Sequence, residues 1–94
     1  MFGFLKRLLG FRRFSRKKEI AYEDARDALS SQDTGMRREL AERQDLKPEM
    51  LYYLAHDTDA GVRATVAANP ATPFKANEML AEDEAAEVRM ELAR

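Results

Sequence analysis

His56 is the only histidine of the chain, and its neighbours decide what chemistry it can do. No second histidine exists, and no Ser or Cys nucleophile stands close to it in sequence. A nucleophile–base pair is therefore not expected there, and a helix-end or loop role is. Asp57-Thr58-Asp59-Ala60-Gly61 begins like a calcium loop. Such a loop needs Gly at its sixth position and a bidentate Glu at its twelfth. Val62 and Ala68 stand there instead, so helix capping explains these aspartates. The chain has no cysteine, which excludes disulfides and thiolate-held zinc or iron–sulfur groups. No catalytic, cofactor-binding or metal-ligating set is expected, and a non-enzymatic protein is.

The other chemically loaded stretch is residues 1–18, MFGFLKRLLGFRRFSRKK. Lys6, Arg7, Arg12, Arg13, Arg16, Lys17 and Lys18 give it +7 with no acid. Residues 19–94 hold the other 9 basic residues and all 17 acids, a charge of −8. Phe2, Leu5, Leu8 and Leu9 fall at helical spacing, and Phe4, Phe11 and Phe14 widen or break the stripe. Gly3 and Gly10 each lower helix propensity by roughly 1 kcal/mol. A helix near residues 2–13 is expected, firmer when one face is buried.

Three readings of this segment stay open. Phe2, Phe4, Leu5, Leu8 and Leu9 can enter a membrane interface while Lys6, Arg7, Arg12 and Arg13 meet anionic lipid or a partner. The apolar residues can instead cap the body that follows. Phe11-Arg12-Arg13-Phe14 also suits single-stranded nucleic acid, although the acidic body repels it. Arg12-Arg13-Phe14-Ser15 fits a basophilic phosphorylation pattern that is common by chance; phosphate on Ser15 would reduce attraction to a membrane.

The body repeats itself. Met36 to Gly61 (MRRELAERQDLKPEMLYYLAHDTDAG) and Val62 to Glu87 (VRATVAANPATPFKANEMLAEDEAAE) are two 26-residue copies, and VRMELAR begins a third at Val88. Arg37, Arg63 and Arg89 share one position; so do Leu40, Val66 and Leu92, and Ala41, Ala67 and Ala93. Leu54/Leu80, Ala55/Ala81 and Asp57/Asp83 match across the complete copies. A period of this length marks an array of supersecondary units. Such an array needs only neighbour contacts, which suits a chain of 94 residues.

The elements follow from caps and breakers. Residues 19–30 read as a helix with Glu19, Glu23 and Asp24 near its start. Ala28 and Leu29 lie one period before Leu54 and Ala55, so this is the second helix of a degenerate unit. Asp33 caps a helix to about Arg43, and Asp59 caps one over about Ala60 to Ala68. Pro48 opens a helix to about His56. Asn69-Pro70 ends the helix before it. Thr72 caps and Pro73 opens a helix to about Glu82, and residues 85–94 begin another. Leu51 and Leu54 point inward; Glu49, Tyr52, Tyr53 and His56 share the opposite side. That side is either a protein-binding surface or packed against neighbouring helices or the N-terminal segment. No segment alternates as a strand does, so the chain is expected to be all-α. The longest apolar run, Met50 to Ala55, is six residues, far short of a membrane span.

Val62-Arg63, Val66-Ala67-Ala68-Asn69-Pro70, Thr72-Pro73, Leu80-Ala81, Asp83 and Val88-Arg89 resemble the leucine-rich-repeat-variant and HEAT-like class of helical repeats over about residues 33–94. With the basic segment in front, the chain is also similar to the N-terminal repeat region of an uncharacterised bacterial family, in which repeats continue past the position of Arg94. The resemblance implies a short right-handed α-solenoid of HEAT-like helix pairs with an N-terminal basic amphipathic helix. It implies a ladder between a turn aspartate and an arginine early in the following helix. Asp57 and Asp83, with Arg37, Arg63 and Arg89, are its candidates. Ser31 takes the aspartate position in the degenerate unit, where the ladder should weaken. The cysteine-held cluster of some leucine-rich-repeat-variant proteins does not transfer.

The expected organisation is a basic segment at 1–18 and a helical body at 19–94. The body comprises a half-unit at 19–35, units at 36–61 and 62–87, and a truncated unit at 88–94. The expected function is protein binding by the array, with the basic segment docking it peripherally to a membrane surface in the cytoplasm. The expected partner is another protein or a C-terminal continuation of the chain. No cofactor is expected. The apolar side of the unit begun by Val88 should stand exposed and form an interface.

Overall fold

Helix starts in this protein recur every 26 residues. In a computed structural model of the chain, residues 21–94 are described. The expected basic helix and its docking residues, Phe2 to Arg13, lie outside them. Six helices follow: α1 Tyr22–Leu29, α2 Thr34–Ala41, α3 Pro48–Leu54, α4 Ala60–Ala68, α5 Phe74–Leu80 and α6 Ala86–Leu92. No strand occurs among the described residues. α1, α3 and α5 begin at 22, 48 and 74; α2, α4 and α6 begin at 34, 60 and 86. α1 therefore falls in the phase of the second helices.

Each helix has seven to nine residues. Isolated helices below about 12–15 residues are marginal in water, so packing must hold these. α2 packs on α4 and α4 on α6; α3 packs on α5; α1 closes onto α2. The core is one cluster in which Ala28, Leu40, Leu51, Leu54, Val62, Val66, Leu80 and Val88 are fully buried. Burying one such Leu or Val contributes about 1.5–3 kcal/mol.

Two first helices are capped as their sequences predict. The Asp33 carboxylate accepts from the Gly35 amide at 2.9 Å, and that of Asp59 from the Val62 amide at 3.0 Å. At the same position before α6, Ala85 offers no side chain for capping. Gly61 lies under the Arg38 side chain, which would have to shift to admit a larger residue. A Cβ there would sit 2.3 Å from Arg38 Nη2, whose guanidinium reaches Asp59 Oδ2 at 3.5 Å.

Several expectations are corrected. The helices after Asp33 and Pro48 stop at Ala41 and Leu54, short of Arg43 and His56. Tighter i→i+3 bonds end them, with Arg43 N donating to Leu40 O and His56 N to Tyr53 O. Thr72 does not cap α5. Pro73 takes the cap position, and the buried Thr72 hydroxyl donates to the Val66 carbonyl at 2.7 Å. That oxygen lies in the last turn of α4, where carbonyls lack helical donors. At the C-terminal end, Val88 is fully buried, because α6 lies along α4. Leu92 is half-buried and Ala93 exposed, whereas their equivalents Leu40, Val66, Ala41 and Ala67 are buried.

Two asparagines have opposite roles. Buried Asn69 donates from Nδ2 to the carbonyls of Ala41 and Arg43, both at 2.8 Å, and accepts at Oδ1 from the Ala71 amide. It ties the end of α4 to the end of α2. Asn77 stands in the phase of Ala25 and Leu51, and its buried Oδ1 has no donor. The same substitution should therefore act with opposite sign. Asn69→Ala is expected to lower stability by about 2–3 kcal/mol, since it strands buried carbonyls. Asn77→Ala is expected to raise it by about 1 kcal/mol, by removing an orphan acceptor and a poorer helix former. Denaturant midpoints of the two variants moving in the same direction would contradict this assignment.

Candidate functional site

The ends of the second helices carry the polar chemistry of the molecule. Asp57 and Asp83 lie three residues past the last residue of α3 and α5. Each closes the turn into the next first helix by accepting a backbone N–H two residues on, from Asp59 at 2.9 Å and from Ala85 at 2.8 Å. Short carboxylates favour such turns. Ser31 performs the same closure with its hydroxyl, which accepts from Asp33 N at 3.0 Å.

The first-helix arginines lock these turns. Arg37 donates Nε to Asp57 Oδ2 at 2.7 Å and Nη2 to Oδ1 at 3.2 Å, while Nη1 reaches the Ser31 carbonyl at 2.6 Å. Arg63 repeats the pattern on Asp83 at 2.8 and 3.2 Å and on the Asp57 carbonyl at 2.7 Å. Arg89 donates to the Asp83 carbonyl. The resemblance pairs each turn aspartate with the arginine that follows it. In the structure the carboxylate goes to the arginine 20 residues before, and the following arginine takes the main-chain carbonyl. The planar fork of arginine explains this division: one edge fits two acid oxygens, and the remaining nitrogen is free for a third acceptor.

The electrostatics follow. The Asp57 hydrogen bonds, opposed by burial and reinforced by the charges of Asp57, Asp59 and Asp33, hold the Arg37 guanidinium above its ordinary value. Asp83 does the same for Arg63. Burial pushes the Asp83 carboxyl up. The Arg63 hydrogen bonds, the Ala85 amide and the charges of Arg63 and Arg89 outweigh it and leave Asp83 below the usual carboxylate range. Asp59 is also lowered, first by the Val62 amide, against some burial, and then by Arg38.

An open cleft of about 630 Å³ lies beside the first of these locks. Leu29, Ser30, Ser31 and Gln32 form the wall after α1; Arg37, Tyr53, His56, Asp57 and Thr58 form the other. Tyr53 is 59% exposed, and His56 Nδ1 lies 3.0 Å from the Tyr52 carbonyl. Tyr52 and His56 meet edge to face with ring centroids 5.0 Å apart. The structure thus gathers Tyr53, His56, Arg37 and Asp57. It leaves Tyr52 at the edge and Glu49 exposed on α3 outside the lining. Arg63, Asp83 and Arg89 belong to the later locks.

Sequence reasoning missed the α1 wall, because Ser30, Ser31 and Gln32 carry no pattern that separates a cleft from an ordinary loop. It also missed the Arg38–Asp59 pair and the two-pronged pair of buried Arg43 on Asp45, at 2.9 and 2.8 Å. Among the described residues, no three His, Asp or Glu side chains converge as a metal-ligand set. No helix among them is long and apolar enough to cross a membrane. Compared with protein-family models, curated proteins and solved structures, the chain matches none.

The lowered Asp83 carboxyl sets a pH dependence. A depressed folded-state value contributes stability that is full above the unfolded value, near 3.9 for aspartate, and is lost as pH falls through the folded value. Unfolding followed from about pH 5 to pH 2 should show the native chain losing more stability than Asp83→Asn. Parallel curves for the two proteins would remove Asp83 from the acid response.

Proposed function

We propose that this chain is a non-enzymatic protein-binding scaffold, a short right-handed α-solenoid of HEAT-like helix pairs, and that the α3 face presents its recognition residues. The observation that carries this reading is the division of α3 into two faces. Met50, Leu51 and Leu54 are buried on one side, while Tyr52 and Tyr53, with His56 just past the helix end, stand exposed, and Tyr53 and His56 line the open cleft. Exposed tyrosines at a cleft offer large amphipathic contact area, and aromatic anchors dominate many protein interfaces. The arginine–aspartate locks support the reading, because they hold the cleft walls in fixed relation before any partner arrives.

Residues 1–18 dock the scaffold to an anionic membrane surface in this reading. Their charge of +7 supports it, at about 1 kcal/mol per basic residue near such a surface. A specific observation favours a second reading, in which the segment caps the body. Beside Ala21, an open cleft of about 380 Å³ is lined by Tyr22, Ala25, Leu46 and Met50 together with Asp45 and Lys47, so it offers both apolar and polar contacts. Ala21, the first described residue, lines this cleft.

The surface reading is tested by affinity purification from the native host with the intact chain and with Tyr53→Ala/His56→Ala. The double variant should keep its unfolding midpoint and lose the captured partners; identical captures would sink the proposal. For the N-terminal segment, the intact chain should co-sediment with anionic but not neutral vesicles, and a chain lacking residues 1–18 with neither. Equal binding by both chains refutes membrane docking. A large drop in the unfolding midpoint of the shortened chain, without lipid binding by the intact one, establishes the cap.

A further inference from the structure

Two helices turn their carbonyl ends toward the Tyr53 cleft. α1 stops at Leu29 and α3 at Leu54, and residues just past each end, Ser30 to Gln32 and His56 to Thr58, line its walls. A helix C-terminus carries a partial negative charge that favours cations. The polar side chains there spend their hydrogens on the helices. The Ser30 hydroxyl donates to the Arg26 and Asp27 carbonyls at 3.4 and 3.3 Å, which leaves its lone pairs as acceptors. His56 Nδ1 lies 3.0 Å from the Tyr52 carbonyl, which can only accept. Nδ1 therefore carries the proton, and Nε2 of the neutral ring is an acceptor. The charges beside the cleft leave a surplus of acid. Arg37 lays its nitrogens on Asp57 and the Ser31 carbonyl, and Arg38 reaches Asp59. Asp33 acts on Arg37 as well, so three carboxylates face two guanidinium groups.

We propose that the group taken by this cleft, within the recognition role given to it above, is the guanidinium of an arginine on a partner protein. The exposed Tyr53 ring offers a face on which a guanidinium stacks. The flat fork of donors serves Ser30 on one wall and His56 on the other, which the point charge of a lysine does not. Charge complementarity selects the cation, because the negative helix ends and the surplus carboxylate repel an acidic group. One period on, Met79, Glu82 and Glu84 stand in the places of Tyr53, His56 and Thr58. That turn attracts cations by charge alone and has no ring to stack on, so it serves as an internal control for non-specific attraction.

The probe is the blocked peptide acetyl-Gly-Gly-Arg-Gly-Gly-amide, titrated into the intact chain and followed by NMR at Ser30, Tyr53 and His56. Shifts that saturate at millimolar peptide are expected. Citrulline in place of the peptide's arginine keeps the shape and removes the charge. It should weaken binding by about tenfold, the worth of hydrogen bonds from a charged group, and lysine should weaken it less. Tyr53→Ala should weaken binding by about fivefold, and Tyr53→Phe should change it little. Glu82→Gln/Glu84→Gln should leave binding nearly as it was. No saturable shift, equal binding of the citrulline peptide, or a loss in Glu82→Gln/Glu84→Gln as large as in Tyr53→Ala overturns the proposal. Arg12→Gln/Arg13→Gln moving the same three signals before any peptide is added would assign the cleft to the chain's own basic segment, and would overturn it as well. Captured partners lost in Tyr53→Ala/His56→Ala, with no response to the arginine peptide, would keep the cleft as a recognition site and refute its preference for a cation.

Discussion

Arg37 and Arg63, each early in a first helix, satisfy two segments at once, and the arrangement of the neighbouring units depends on them. The two-pronged edge of each fixes the end of the next helix through a carboxylate. The remaining nitrogen of each fixes the preceding turn through a carbonyl. Arg37 thereby couples Ser31 to Asp57, and Arg63 couples Asp57 to Asp83. Because Asp57 also closes its own turn, one carboxylate and one carbonyl of a single residue join three pieces of backbone. These guanidinium and carboxylate groups are mostly hidden from water, with side-chain exposures of 7–14%. Burying them unpaired would be costly, so the pairing sets the relative position of neighbouring helices tightly.

The apolar core is compatible with that constraint because it uses the same period. Leu40 and Val66 on first helices, and Leu54 and Leu80 on second helices, sit one period apart and are all fully buried. Helices this short do not persist alone, so their stability and mutual positions arise together. The departures are local. Asn77 brings a polar side chain to a position where Ala25 and Leu51 stand, and Asn69 replaces the Arg43 of the previous unit with an amide that crosses between units.

Much of this frame was legible in the sequence. The helix starts, the caps at Asp33 and Asp59 and the break at Asn69-Pro70 rest on side chains acting over two or three residues, and such interactions leave a signature in spacing. The exposed face of α3 was legible for the same reason, because helical periodicity separates Tyr52, Tyr53 and His56 from Leu51 and Leu54. Half of the cleft was not. Its second wall comes from the end of α1 and the loop after it, 21 to 24 residues before Tyr53, where only Ser31, in the phase of the turn aspartates, carries a periodic mark.

The amino-acid sequence by itself determined the 26-residue period, the helical class and the buried positions that recur with it, such as Leu40, Val66, Leu54 and Leu80. Tertiary structure alone decided which aspartate each arginine takes, that Thr72 serves the end of α4 and not the start of α5, and that Asn69 binds two carbonyls of another helix end. The physical reason is the same in each case. The acceptors are main-chain oxygens, or carboxylates made equivalent by the period, and every residue carries the former. Only the folded arrangement singles out the carbonyl and the carboxylate that lie within reach.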